Sequence, residues 1–233
     1  MPQVSPEAMK PPIGPASRTW ENEIMNRKDP AHRRQFCRAL GVHAWLGTVG
    51  WGVSVFAKQA QAAVIEGVSF EPHLQLWGTD LVLNGVGVRA VAWIKGYAAA
   101  LYLTKRSQQA EGVIAAPGPK RLRLHMLMEV PAAEFSKAFD KGVRRNVSPA
   151  QLPGLQSRIE LFEEVIQSLK TVRKGDLIDL DFDPTRGLVL QLNGTLHGQP
   201  VAGADFYAAL LRSFIGEQPY DKALRSGLLG ANA

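Results

Sequence analysis

The chain has 233 residues, 45% hydrophobic and 21% charged, with a single cysteine. These values exclude whole-chain disorder, a disulfide framework and a cysteine-rich metal site. The net charge of +6 invites a nucleic-acid partner, but residues 1–62 hold eight of the 27 basic and four of the 21 acidic side chains, so residues 63–233 carry 19 and 17. That near-balance gives the body of the chain little electrostatic reason to grip a phosphate backbone.

The first 62 residues read as an extension followed by an export signal. Arg33-Arg34-Gln35-Phe36 precedes an apolar stretch from Ala39 to Ala57, and Ala60-Gln61-Ala62 supplies a small-x-small cleavage site. Basic, apolar and small-residue regions in that order define a secretory signal, and the paired arginines with Phe36 resemble the twin-arginine export signal. Met25 gives the signal an ordinary length if it is the true start. The expectation is recognition by export machinery, cleavage after Ala62, a periplasmic product and no stable membrane insertion afterwards. Cys37 falls within the leader, so the mature chain contains no cysteine.

From residue 63 a single domain is expected. His73–Gly78 alternates and ends in a turn signal, and Leu81–Leu83 is followed by Asn84-Gly85, a pair that predicts a tight turn. Val88–Trp93 is β-rich, Ile94–Gly96 reads as a turn, and Tyr97–Leu103 reads as the returning strand. Arg121–Met128 alternates apolar and polar residues. The period then becomes helical, first from Pro131 through Phe135, Phe139 and Val143, then from Leu155 through Ile159, Phe162, Ile166 and Leu169 to Gly175. Strands return at Ile178–Asp183 and Leu188–Leu192, then cross an Asn193-Gly194 turn into Thr195–His197. A last helix spans about Gly203 to Ile215. Strands first, then two helices, a strand pair and a helix predict an α+β fold with helices on one face of a largely antiparallel sheet.

Several chemistries are excluded. Gly85-Val86-Gly87 lacks the third glycine and the following helix of a dinucleotide loop. His73, His125 and His197 show no ligand spacing, and Asp179, Asp181 and Asp183 share one strand face, as solvated residues do. No metal or cofactor is expected. Three positions stand out instead. Arg89 lies within a β-rich run, where a buried guanidinium needs an anionic partner. Placing the turn near Trp93 sets Arg89 opposite Tyr97, an arrangement suited to a carboxylate or phenolate, although most strand arginines face solvent. Ser213 falls on the apolar face of the last helix near Phe206 and Leu210, where a hydroxyl commonly bonds back to a carbonyl one turn earlier.

Three blocks carry a family resemblance: Gly85-Val86-Gly87-Val88-Arg89, Tyr97-Ala98-Ala99-Ala100-Leu101-Tyr102-Leu103, and Phe214-Ile215-Gly216-Glu217-Gln218-Pro219-Tyr220-Asp221. In this order they resemble the chalcone isomerase-like superfamily over roughly residues 70–230. The resemblance implies an open-faced β-sandwich, a large antiparallel sheet backed by helices with a ligand cleft between. It implies that Arg89 matches the family arginine, that the strand threonine of the isomerases is replaced by Tyr97, and that their helix tyrosine is replaced by Phe135. Their asparagine falls on Gly142, with Asn146 one turn away, and the last-helix hydroxyl falls on Ser213. Phe135 cannot donate a hydrogen bond to a developing oxyanion. Arg89 with Tyr97 is similar to the carboxylate grip of the fatty-acid-binding branch.

The leading expectation is therefore an exported protein that holds a small apolar carboxylic acid or phenol, with Arg89, Tyr97, Phe135 and Ser213 as ligand-binding residues. The alternatives are an isomerase (an intramolecular lyase on an enone, with Arg89, Tyr97 and Ser213 as its catalytic groups) and a non-catalytic scaffold with a closed cleft.

Overall fold

The computed structural model describes residues 62–231. The twin-arginine signal and the alternative start at Met25 lie outside the described residues.

A short hairpin, β1 (Ala63–Ile65) and β2 (Val68–Phe70), leads into β3 (His73–Leu76), β4 (Thr79–Val91) and β5 (Ile94–Leu103). Helix α1 (Ala110–Ala115) precedes β6 (Lys120–Met126), and β7 (Val130–Pro131) leads into α2 (Ala132–Asn146) and α3 (Leu152–Ser168). Then follow β8 (Thr171–Val172), β9 (Leu177–Asp183), β10 (Gly187–Leu192), β11 (Thr195–Val201), α4 (Ala204–Ile215) and α5 (Lys222–Ser226), with a wide helical turn at 227–231. Seven strands form one sheet in the order β11-β10-β9-β6-β5-β4-β3, and every neighbouring pair is antiparallel. This is the α+β, helix-backed antiparallel architecture that the alternation and the family resemblance imply.

Strand alternation divides the core between the two faces. Tyr97, Ala99, Leu101, Leu122, Leu124 and Leu180 join the helices in the larger cluster. Their strand neighbours Ala98, Ala100 and Tyr102 join Leu81, Leu83 and the β2 residues Val68 and Phe70 in a smaller one. A period of two forces this split, because successive side chains leave opposite faces of a strand.

The turn read at Ile94–Gly96 falls earlier, at Ala92-Trp93, and Ile94 already opens β5. Two larger expectations are corrected. Asn84-Gly85 is not a turn but lies inside β4, at a register shift between Leu83 and Gly85. Asn84 Nδ2 donates to the Leu228 carbonyl at 2.8 Å, and its Oδ1 accepts the Ser107 N–H at 2.7 Å. A Cβ on Gly85 would collide with the Gly227 carbonyl oxygen, and one on Gly87 would lie 2.9 Å from the Leu224 carbonyl oxygen. The glycine pair therefore lets the C-terminal segment lie directly on β4. Gly85→Ala is expected to cost about 1–3 kcal/mol through overpacking against backbone, read as a lower denaturation midpoint. An unchanged midpoint would show that the C-terminal segment yields freely.

The aspartates are the second correction. Asp179, Asp181 and Asp183 are buried, not solvated. Asp181 faces Arg121 and Asp179 faces Arg123 across β6 and β9. Arg121 donates to both oxygens of Asp181 at 2.7 and 2.6 Å, and Arg123 to both of Asp179 at 2.7 Å. Asp183 accepts from the Thr185 hydroxyl and from Arg186. A charged strand face can be buried when the adjacent strand supplies opposite charges in register.

Candidate ligand-binding site

The site begins at the β4–β5 hairpin. Arg89 and Tyr97 are directly opposite in the register, as the sequence predicts, and opposed residues share one face of a sheet. That face is the helix side, where Tyr97 is only 8% exposed. The Arg89 side chain is 28% exposed. Its Nη1 donates to the Ala90 carbonyl at 2.9 Å and lies 3.5 Å from Asp221 Oδ2. Its Nε and Nη2 make no hydrogen bond among the described residues.

Asp221 is largely committed elsewhere. It caps α5 by accepting from the Ala223 and Leu224 N–H groups, and it also accepts from Ala90 N–H at 3.3 Å. Burial pushes its carboxyl up, but the three N–H donors and Arg89 together hold it below the ordinary value. Asp221 thus orients Arg89 over a long contact and leaves the guanidinium donors available.

Beside Arg89 and Tyr97 lies a cavity of about 200 Å³ between sheet and helices. Leu124, Ile178, Leu180 and Leu190 supply its sheet side, and Phe135, Phe139, Phe162 and Ile166 its α2–α3 side. Leu210 and Phe214 of α4 complete the apolar wall. Phe139 and Phe162 meet edge to face at 5.0 Å, which fixes the wall by packing rather than leaving it free to collapse. Glu134 lines the mouth and accepts from Lys137 at 2.8 Å.

A second phenol, Tyr220, lines the same end. Its ring packs edge-on to Phe214 at 5.0 Å. The position exists because of Gly142: a Cβ there would sit 2.5 Å from the Tyr220 hydroxyl. Asn146 holds the loop that carries Tyr220, donating to the Gly142 and Gln218 carbonyls and accepting the Gln218 N–H. Burial pushes the Tyr220 phenol up to about 12 against the pull of Ser213 and Arg89. Burial, followed by Tyr220, raises Tyr97 further still, with Arg89 opposing. Both phenols are neutral hydrogen-bond donors at neutral pH. The Tyr97 hydroxyl has no hydrogen-bond partner among the described residues.

The structure therefore brings together Arg89, Tyr97 and Phe135. Ser213 is fully buried and lies outside the cavity lining. Its hydroxyl donates to the Ala209 carbonyl at 3.4 Å and touches the Tyr220 phenol, so it stands behind the site. Sequence reasoning missed Tyr220 and Asp221 as site residues. They sit in an irregular segment without periodicity, and the only signal for them was the last block of the family resemblance. Phe206 is fully buried and packs edge-on against Phe139 and Phe162, one layer behind the cavity wall. No group of three His, Cys, Asp or Glu residues is placed to hold a metal among the described residues.

In chemical terms, one end of an apolar hollow carries a guanidinium with free donors and two neutral phenols. Such an end can receive a carboxylate or phenolate, while the hollow takes an apolar body. Solved structures share this fold. A fatty-acid binding protein of Arabidopsis thaliana superposes with a TM-score of 0.60 at 18% identity, covering 74% of this chain and 97% of that one. A search of curated proteins finds no match. The family model described as chalcone isomerase-like matches residues 62–230. The chain belongs to the chalcone isomerase-like family.

Proposed function

We propose that this protein is an exported binder of small apolar carboxylic acids or phenols, with the anionic head on Arg89, Tyr97 and Tyr220 and the apolar body in the cavity. The observation that carries this reading is the pairing of unused Arg89 donors and an unpartnered Tyr97 hydroxyl with an otherwise apolar hollow. No buried side-chain polar atom among the described residues lacks a partner, so the Tyr97 hydroxyl is open to the cavity rather than sealed in the core, and an incoming oxyanion can accept its hydrogen bond. The fatty-acid binding named for the Arabidopsis protein supports a ligand of this chemistry. The export signal read at Arg33-Arg34 and Ala60–Ala62 supports a periplasmic carrier.

The cavity volume of about 200 Å³ is below the 300–1,000 Å³ of drug-sized sites. At roughly 30 Å³ per water-sized group it takes about seven carbon atoms, which is one aromatic ring or a medium-length chain. In a calorimetric series of straight-chain acids, affinity is expected to rise about fourfold per methylene, the worth of a buried CH₂, and to flatten beyond about eight carbons. Tyr97→Phe should weaken binding of octanoate by about 1 kcal/mol. Native mass spectrometry of the protein as purified should show a bound acid. A protein that emerges empty and binds no acid in the series would sink the proposal.

A further inference from the structure

The rim around the cavity mouth combines two features that folding does not require. The β4–β5 hairpin ends in Val91-Ala92-Trp93-Ile94, where Trp93 is 86% exposed, Val91 62% and Ile94 50%. One exposed aliphatic residue is ordinary, but three large apolar groups within four residues at a tip form a patch. Ala92 holds this tip with φ +54, a conformation that disfavours residues other than glycine. Met128 is also exposed, and Leu127 beside it donates its N–H to Gly96 at the base of the hairpin.

The second feature is a stripe of cations. Lys137, Lys141 and Arg145 repeat every four residues along α2, a spacing at which like charges repel. Lys137 pairs with Glu134, but Lys141 and Arg145 have no acidic partner among the described residues. With Arg89 and Tyr220 these three residues line a hollow of about 280 Å³ outside the apolar cavity. The hairpin tip starts two residues beyond Arg89, roughly 7 Å along an extended strand, so tip and stripe flank one opening.

We propose that this rim docks on an anionic phospholipid bilayer, with Val91, Trp93 and Ile94 entering the headgroup–acyl boundary and Lys137, Lys141 and Arg145 facing the phosphates. An indole is at home at that boundary, with its apolar body in the acyl region and its N–H in water. A basic cluster beside it adds attraction to anionic headgroups. A lone convex tip offers far less than the roughly 800 Å² per partner of a specific protein interface, which favours lipid over a folded partner. No helix among the described residues is long and apolar enough to cross a membrane. Docking needs no bound ligand and stands apart from the proposed function. Together the two would set the mouth where apolar acids dissolve.

The test uses the full chain and vesicles of phosphatidylcholine, with or without phosphatidylglycerol, whose acyl chains carry bromine as a contact quencher. The emission of wild type minus that of Trp93→Phe, compared at equal vesicle-bound fractions fixed by sedimentation, isolates Trp93, so quenching of the other tryptophans cancels. Vesicles with phosphatidylglycerol should quench this difference emission. The double variant Lys141→Glu/Arg145→Glu should need roughly tenfold more vesicle for half-quenching, and high salt should act in the same direction. Difference emission that stays unquenched overturns the proposal and leaves a protein partner for the tip. Quenching indifferent to charge reversal and salt overturns the anionic surface. Octanoate titrated into the same samples without vesicles reports the cavity separately, so either proposal can fail alone.

Discussion

Arg89→Ala is expected to weaken binding of octanoate roughly tenfold to a hundredfold, the loss of about 1.5–3 kcal/mol that follows removal of a charge-assisted hydrogen-bonding group. The folded chain uses Arg89 lightly: one 2.9 Å bond to the neighbouring carbonyl and a 3.5 Å contact with Asp221. Thermal stability should therefore change little, because a partly exposed, long ion pair contributes at most about 1 kcal/mol. Arg89→Lys should fall between, since the ammonium keeps the charge but loses the planar fork. Isothermal titration with octanoate, alongside a melting curve for each variant, separates affinity from folding. Unchanged affinity in Arg89→Ala would remove the anionic grip even though the cavity and fold remain. Affinity lost only with the fold would make Arg89 a structural residue.

The largest effect on stability is expected at Asp181. Asp181→Ala should cost about 3–5 kcal/mol, because Arg121 stays buried after losing its bidentate partner. Arg121 retains a 3.2 Å contact with Asp179, but Asp179 already receives two bonds from Arg123. Burial raises the Asp181 carboxyl above its ordinary value despite Arg121, so its desolvation is large and incompletely offset. Replacing both partners with apolar residues, Arg121→Met with Asp181→Leu, should recover most of the loss. Guanidinium denaturation of the two single variants and the double gives the coupling. A single-variant loss under about 1 kcal/mol would mean that the ladder is hydrated rather than dry.

Some of the molecule was legible one residue at a time. The Asn193-Gly194 turn, the helix beginning just after Pro131 and the apolar alternation of β6 rest on local backbone preference and periodicity, which act within a few residues. The pairing of Arg89 with Tyr97 was also readable from a turn placed near Trp93, although a register shift between Arg89 and Ala90 is what sets it, since the tight turn alone would oppose Arg89 to Gly96. Asn84-Gly85 failed for a related reason. Its local preference for a turn was overridden by a segment more than 140 residues away that packs onto the strand. The buried aspartates failed in the same way: alternation says that they share a face but not that Arg121 and Arg123 stand opposite them.

The amino-acid sequence by itself determined the antiparallel, helix-backed class and the arginine–tyrosine pair, because these follow from periodicity and turn chemistry, while three short blocks of sequence carried the family resemblance. Tertiary structure alone decided that a hollow remains beside that pair, that Gly142 admits the Tyr220 phenol to it, and that Ser213 stands behind the wall. Whether side chains from a sheet and three helices fill the space between them or leave a void is set by how those elements sit against one another. No local pattern encodes that volume.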